Sequence, residues 1–329
     1  MTCRTAATMI MLAWGCLFTM ASATLVAAEV EQPQTPALKP DAKPEPAANA
    51  PATPPAAASD VTAKPEYRLA YRFKSGESVF YEVTNEMEIT TRYNGDTEVA
   101  RNKSESRKHF LVAAVAADGS ADLELYIDWV RMNARFNDED AGDFDSSRPG
   151  PPPAQFQHIA STIGRRQAKM KFSPTGKMIG AEQGPSEPVA VSAPPSKRGA
   201  DSNQTFLVIF PEKPISVGES WKEEFECRVT VDDNLTQNVS MMRTYRLESV
   251  ENQQATISMK TAILSPIRSP RISAQLAQRE TNGTIVFDLE RGAIVSRTFK
   301  VDRSIIEPFG PKTAMHAASL HVERLVAPK

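Results

Sequence analysis

Four histidines, His109, His158, His316 and His321, are the side chains here best suited to ligate a metal or move a proton near neutral pH. None has a partner at metal-ligand spacing, so surface histidine is the expectation. His316 and His321 stand five apart, which on a strand puts them on opposite faces. Gly218-Glu219-Ser220-Trp221 has the Gly-x-Ser start of a nucleophile elbow but lacks the Gly that must follow the Ser. No paired acid and base, no phosphate-cradling Gly loop and no redox Cys pair can be read from the sequence. No catalytic, cofactor-binding or metal-ligating residue is therefore assigned, and the protein reads as non-enzymatic and without cofactors. A hydrolase built on Ser220 and a histidine is the most distant alternative.

Two stretches could still hold a ligand. Asp138-Glu139-Asp140-Ala141-Gly142-Asp143-Phe144-Asp145 offers several carboxylates to an ion such as calcium. However, Asp143, Asp145 and Ser147 lack the next-position Gly and the distal Glu of a calcium loop, so a solvated acidic loop is expected at 137–153. The aromatic set Tyr67, Tyr71, Phe73, Tyr81, Trp129, Trp221, Phe225 and Tyr245 could line a lipid site between curved sheets, or form the core. An exported protein without disulfides needs them as core.

Export is indicated by the first residues. Arg4 gives a positive start, Met9 to Met20 an apolar run, and Val26-Ala27-Ala28 a small-residue cleavage pattern, so 1–28 reads as a signal peptide. No charge lies between Arg4 and Glu29, and an uncleaved membrane anchor is the alternative. Residues 29–65 are rich in Pro and Ala and read as a disordered tether. With the signal removed, Cys227 is the remaining cysteine, and the expected location is secreted or periplasmic. The net charge of −2 gives no basic surplus for nucleic acid. Partners are unknown, an envelope protein or a hydrophobic ligand being the candidates, with a membrane only if the signal is retained.

The rest is patterned at a period of two. Tyr67, Leu69, Tyr71 and Phe73 alternate as a half-buried strand. Val79 to Ile89 form a second, Asn94-Gly95 a type I′ hairpin turn, and the return strand runs to about Val115, its polar half from Arg101 to His109 expected to project from the core. Leu123 to Trp129 form the fourth strand. Phe156, Ile159 and Ile163 mark one short helix, followed by a hairpin at Ser173-Pro174-Thr175-Gly176.

Gly76-Glu77-Ser78-Val79 and Gly218-Glu219-Ser220-Trp221 start two stretches of like pattern. When they are aligned, Phe110 and Val112 meet Tyr245 and Leu247, Leu123 and Leu125 meet Ile257 and Met259, and Phe172 with Gly176 meets Phe287 with Gly292, one residue out. The expected fold is all-β with one short helix: two similar antiparallel units at 66–182 and 205–329, joined by a linker at 183–204, arising by internal duplication and forming sandwich or half-barrel-like sheets.

Tyr71-Arg72-Phe73-x-x-Gly76-Glu77, Phe172-Ser173-Pro174-Thr175-Gly176-Lys177 and Pro211-Glu212-Lys213-Pro214-x-x-Val217-Gly218-Glu219-Ser220-Trp221 together resemble a family of uncharacterised secreted bacterial proteins. Phe287-Asp288-x-x-x-Gly292 resembles that family's late hairpin. The resemblance implies export and an all-β fold, and no activity. The reading is an envelope-associated binding or structural module, with a hydrophobic-ligand carrier as the alternative.

Overall fold

A computed structural model describes residues 64–183, 207–232 and 235–328. The expected signal peptide, nearly all of the tether and the linker beyond Gln183 lie outside them. The first half comprises β1 (Glu66–Tyr67), β2 (Ser78–Tyr93), β3 (Asp96–Val115), β4 (Ala121–Phe136), β5 (Glu139–Asp145), helix α1 (Gln157–Thr162), β6 (Arg166–Phe172) and β7 (Met178–Gln183). The second comprises β8 (Ile215–Ser216), β9 (Ser220–Asp232), β10 (Leu235–Glu251), β11 (Gln254–Ile263), helix α2 (Pro270–Leu276), β12 (Asn282–Asp288), β13 (Ala293–Ile306) and β14 (Thr313–Val326).

The fold is all-β. One antiparallel sheet of 12 strands runs β7-β6-β4-β3-β2-β14-β13-β12-β11-β10-β9, with β5 beside β4, and it is not closed. Both halves belong to this one sheet, meeting where β2 pairs β14 from Phe80 opposite Val326 to Tyr93 opposite Thr313. β1 and β8 form a separate pair.

The two turns aligned by sequence are built alike. Gly76 N–H donates to Val112 O (2.8 Å) and Gly218 N–H to Leu247 O (2.7 Å); Val112 N–H donates to Glu77 O (2.9 Å) and Leu247 N–H to Glu219 O (3.0 Å). Both glycines have positive φ, +81° and +94°. A register shift follows each turn at the matching place, between Val112 and Ala114 and between Leu247 and Ser249. In the first half β2 to β5, and in the second β9 to β11, run as antiparallel neighbours and are followed by a helix before the sheet resumes.

The inner face holds one large apolar cluster, including Tyr81, Phe110, Leu123, Phe172, Tyr245, Leu247, Ile257 and Phe287. Two extended segments cover it, residues 69–73 and 207–210, here called the first and second straps. Consecutive N–H groups of the first strap hold distant turns: Tyr71 N donates to Pro174 O (2.8 Å) and Arg72 N to Gly292 O (3.1 Å). Those turns follow β6 and β12, six strand positions apart, or about 29 Å in a flat sheet. The sheet must therefore curl so that its lower end closes under the straps. At its upper part, α1 and its preceding 3-10 turn cover Val130, Met132 and Phe144 with Phe156, and α2 covers Cys227, Val229, Val239 and Met241 with Ile272 and Leu276.

Four expectations are corrected. Tyr67 to Phe73 is a strand only at Glu66–Tyr67; beyond that it is a strap, since its alternate residues reach the core without pairing. The polar half of β3 does not project: it lies between β2 and β4, with Asn102, Ser104 and Arg107 buried. The acidic loop contains β5, paired with β4. A second short helix, α2, begins with Pro270 in its first turn, where a missing N–H costs nothing, and places Ile272 and Leu276 on one face.

Gly176 marks the tightest strap contact. An added Cβ would overlap Val208 O and lie 2.7 Å from Tyr71 Cε2, whereas at Gly218 it would meet only Arg246 Nη2 at 3.8 Å. Gly176→Ala should cost about 3 kcal/mol from overlap plus backbone strain, and Gly218→Ala about 1 kcal/mol from backbone strain alone. Equal losses by urea denaturation would show that the straps do not hold the lower end.

Candidate functional site

The two straps, strands β2 to β4 and the turn before β13 together form a pocket of about 40 Å³. Its walls are apolar, from Val79, Phe110, Val112, Leu123 and Leu207, with Tyr71, Phe73 and Tyr81 as aromatic sides. Its mouth carries Arg72, Glu77 and Arg291, the last two 3.5 Å apart as an ion pair. Gly292 makes the arrangement possible, because a Cβ there would lie 2.5 Å from Arg72 N.

The strap is fixed from both sides. Tyr71 Oη accepts from Val208 N (2.8 Å) and its ring lies against Phe210 and Phe287, 5.1 and 5.4 Å between centroids. Trp221 Nε1 donates to Ile209 O (2.8 Å), anchoring the second strap to β9. Burial drives the Tyr71 hydroxyl well above its usual pKa. It serves as a neutral hydrogen-bonding post.

Behind the pocket, charges meet in the sheet. Glu323 on β14 is 2% exposed, and its Oε2 accepts from Arg297 Nη2 (2.7 Å), Arg297 Nε (3.1 Å) and Lys108 Nζ (2.9 Å). His321 Nδ1 lies 2.6 Å from Asn85 Oδ1, and Asn85 Nδ2 donates to Ser104 Oγ (3.2 Å). Burial works to raise the Glu323 carboxyl, but Arg297, Lys108 and His321 prevail and hold it well below the carboxylate range. Burial lowers both the Lys108 ammonium and the His321 imidazole against the pull of Glu323. Tyr81 joins the two regions: it lines the pocket, donates to Ile294 O (3.2 Å), and is raised by burial and then by Glu323.

The sequence flagged none of Asn85, Lys108, Arg297 and Glu323, although a signal existed. Lys108 shares the inward parity of Phe110 and Val112, and a charge at an apolar parity marks a buried ion pair. Its counterpart under the alignment, Arg243, is likewise buried and paired, 3.3 Å from Glu223, which also accepts from Tyr245 Oη (2.9 Å).

The flagged residues are dispersed. His158 and His316 are partly or well exposed, but His109 and His321 are not surface groups: His109 is stacked between Phe80 and Tyr126 and bonded to Asp128 (2.7 Å). His316 and His321 do face opposite sides of β14, as their spacing required. Ser220 opens β9 opposite Arg246, with four strands between it and β14. The acidic residues are tied to arginines, Asp140 to Arg135, Asp143 to Arg148 and Asp145 to Arg131. Hydrogen bonds from Ser147, then Arg131, bring Asp145 down to about 2. Among the described residues no group of three or more His, Cys, Asp or Glu could hold a metal ion. Tyr71, Tyr81 and Tyr245 are core, with Tyr67, Phe73 and Trp221 packed against them, and Phe225 lies under α2. Glu77 is only partly exposed and stands at the pocket mouth.

Residues 197–294 match the signature of a family of unknown function (DUF6263). No curated protein matches the sequence. Among solved structures, one described as lipid-protein interactions in lipovitellin aligns at TM-score 0.42 and 13% identity over 78% of this chain. The alignment spans 25% of the length of that lipovitellin chain. DynF from the dynemicin biosynthesis pathway of Micromonospora chersina aligns at TM-score 0.19 and 5% identity, covering 82% of this chain and 88% of that one.

The charge cluster ties stability to pH. Glu323 titrates lower folded than unfolded, so its contribution is complete above about 4.3, the free value, and is lost as pH falls through the folded value. His321, lowered by burial, favours unfolding as pH drops below about 6.5. The urea midpoint should fall from about pH 7 to about pH 3. Glu323→Gln, which strands two buried cations, should cost about 3–5 kcal/mol at neutral pH and flatten the acid limb.

Proposed function

We propose that this protein is an exported, non-enzymatic module that binds a partner strand through its β7 edge, which is unpaired among the described residues, and that it is held out from an envelope layer by its N-terminal tether. The observation that carries this reading is the unequal treatment of the two edges of the open sheet. Strand β9 is guarded: Lys222, Glu224, Glu226 and Arg228 alternate along it, and Gln275 of α2 clips its backbone. Thr230 N donates to Gln275 Oε1 (2.9 Å), and Gln275 Nε2 donates to Thr230 O (2.6 Å), filling the place of a pairing residue. Strand β7 is short and bears Met178 and Ile179, 45% and 52% exposed, with no charge before Glu182. Charged edges resist strand addition, and bare apolar ones accept it.

The family signature of unknown function is consistent with an uncharacterised secreted family, and the recurring turns, register shifts and helices support origin by duplication. The partner is an envelope protein in this reading. Carriage of a hydrophobic ligand is the second reading, supported by the apolar walls of the pocket under the first strap. At about 40 Å³ that pocket is far below the ~300–1,000 Å³ of ligand sites, so a lipid would have to lift the strap.

A photo-crosslinking residue at Ile179 should give a discrete adduct in the envelope fraction of intact host cells, and one at Lys222 should give none. Adducts at neither position, or at Lys222 alone, would sink the edge reading. Native mass spectrometry of protein from its own host should return the bare mass; stoichiometric bound lipid would favour the carrier.

A further inference from the structure

The pocket under the first strap is apolar inside and carries two guanidinium groups against one carboxylate at its mouth, and we propose that it binds a small branched aliphatic carboxylate, either as a free acid or as the C-terminal residue of a peptide. This site is separate from the β7 edge and stands whether or not that edge binds. Its volume of about 40 Å³ amounts to about three water-sized positions, the bulk of an isopropyl or isobutyl group. Val79, Phe110, Val112 and Leu123 offer such a group close contact and no hydrogen bond, so water gains little there. A longer alkyl group would meet the Tyr71 ring, which Val208 and Phe210 hold in place.

Charge selects the head group. At the mouth stand Arg72 and Arg291 against Glu77; behind the wall stand Lys108 and Arg297 against Glu323. At the mouth two cations thus face one carboxylate. Among the described residues the Arg72 guanidinium has no ion-pair or hydrogen-bond partner, and Arg291 holds Glu77 only at 3.5 Å. A carboxylate seated at the mouth supplies Arg72 with its missing partner and draws Arg291 as a second, the fork geometry that guanidinium favours. An amide of the same shape lacks the charge, and an ammonium is repelled.

The test is methyl-resolved NMR of the protein titrated with 3-methylbutanoate, 3-methylbutanamide and a short peptide ending in Gly-Ser-Leu, as free acid and as amide. The acids should give saturating shifts at the methyls of Val79, Val112 and Leu123, and the amides should bind at least about tenfold more weakly. Arg72→Gln, at an exposed position and with the near part of the side chain retained, should weaken the acids by a similar factor while leaving thermal unfolding unchanged. Tighter binding of the peptide acid assigns the site to a polypeptide terminus; tighter binding of 3-methylbutanoate assigns it to a free acid. Absence of saturable shifts with every probe, equal response to acid and amide, or indifference to Arg72→Gln overturns the proposal.

Discussion

An open sheet with one apolar face cannot bury that face by itself, and this requirement governs the molecule. A barrel would solve it by closing, and a sandwich by stacking a second sheet. Here the sheet stays single and is covered piecemeal: two straps at the lower end, two short helices at the upper part. The straps work because the turns at Gly176 and Gly292 lack a side chain where Tyr71 and Arg72 pass. Curl, cover and pocket all follow from that close approach.

Between straps and helices the inner face is left with a polar belt, and the sheet fills it with paired charges. Glu323, Arg297 and Lys108 come from three strands, β14, β13 and β3, and Asn85 and Tyr81 from a fourth, β2. These strands flank the junction of the two halves. Such a network adds little net stability over an apolar core, but removing Glu323 takes from Arg297 and Lys108 the carboxylate that both donate to. It fixes the register of β2 against β14, since a one-residue slip would turn Glu323 to the outer face.

Much of this was legible in the sequence. Alternation identified β2, β3 and β4, Asn94-Gly95 gave the two-residue turn between Tyr93 and Asp96, and Gly76 and Gly218 announced equivalent turns. Phe156 marked the first helix turn. Other features were hidden for physical reasons. A period of two tells which face a residue takes and not which strand lies beside it, so the β2–β14 pairing was invisible. The same period is shared by any extended segment with alternate residues inward, and hence the strap looked like a strand. The acidic stretch read as a loop because β5 carries one large apolar residue, Phe144, among carboxylates that are held by arginines of β4 and beyond, too few to show a period of two. The second helix did carry its signals, Ser269-Pro270 followed by Ile272 and Leu276.

The β2–β14 pairing also sets an order of events in time. A polypeptide emerges from its N-terminal end during synthesis, and the first long strand, β2, must wait for nearly the whole remainder before its neighbour β14 arrives. The first strap waits as well, since Gly292 lies more than two hundred residues beyond Arg72. Until then the inner face of the first half is open to water and to other polypeptides, with its long-range contacts unmade. The architecture therefore makes folding a late, all-at-once closure, and places a premium on keeping the early half from sticking while it waits.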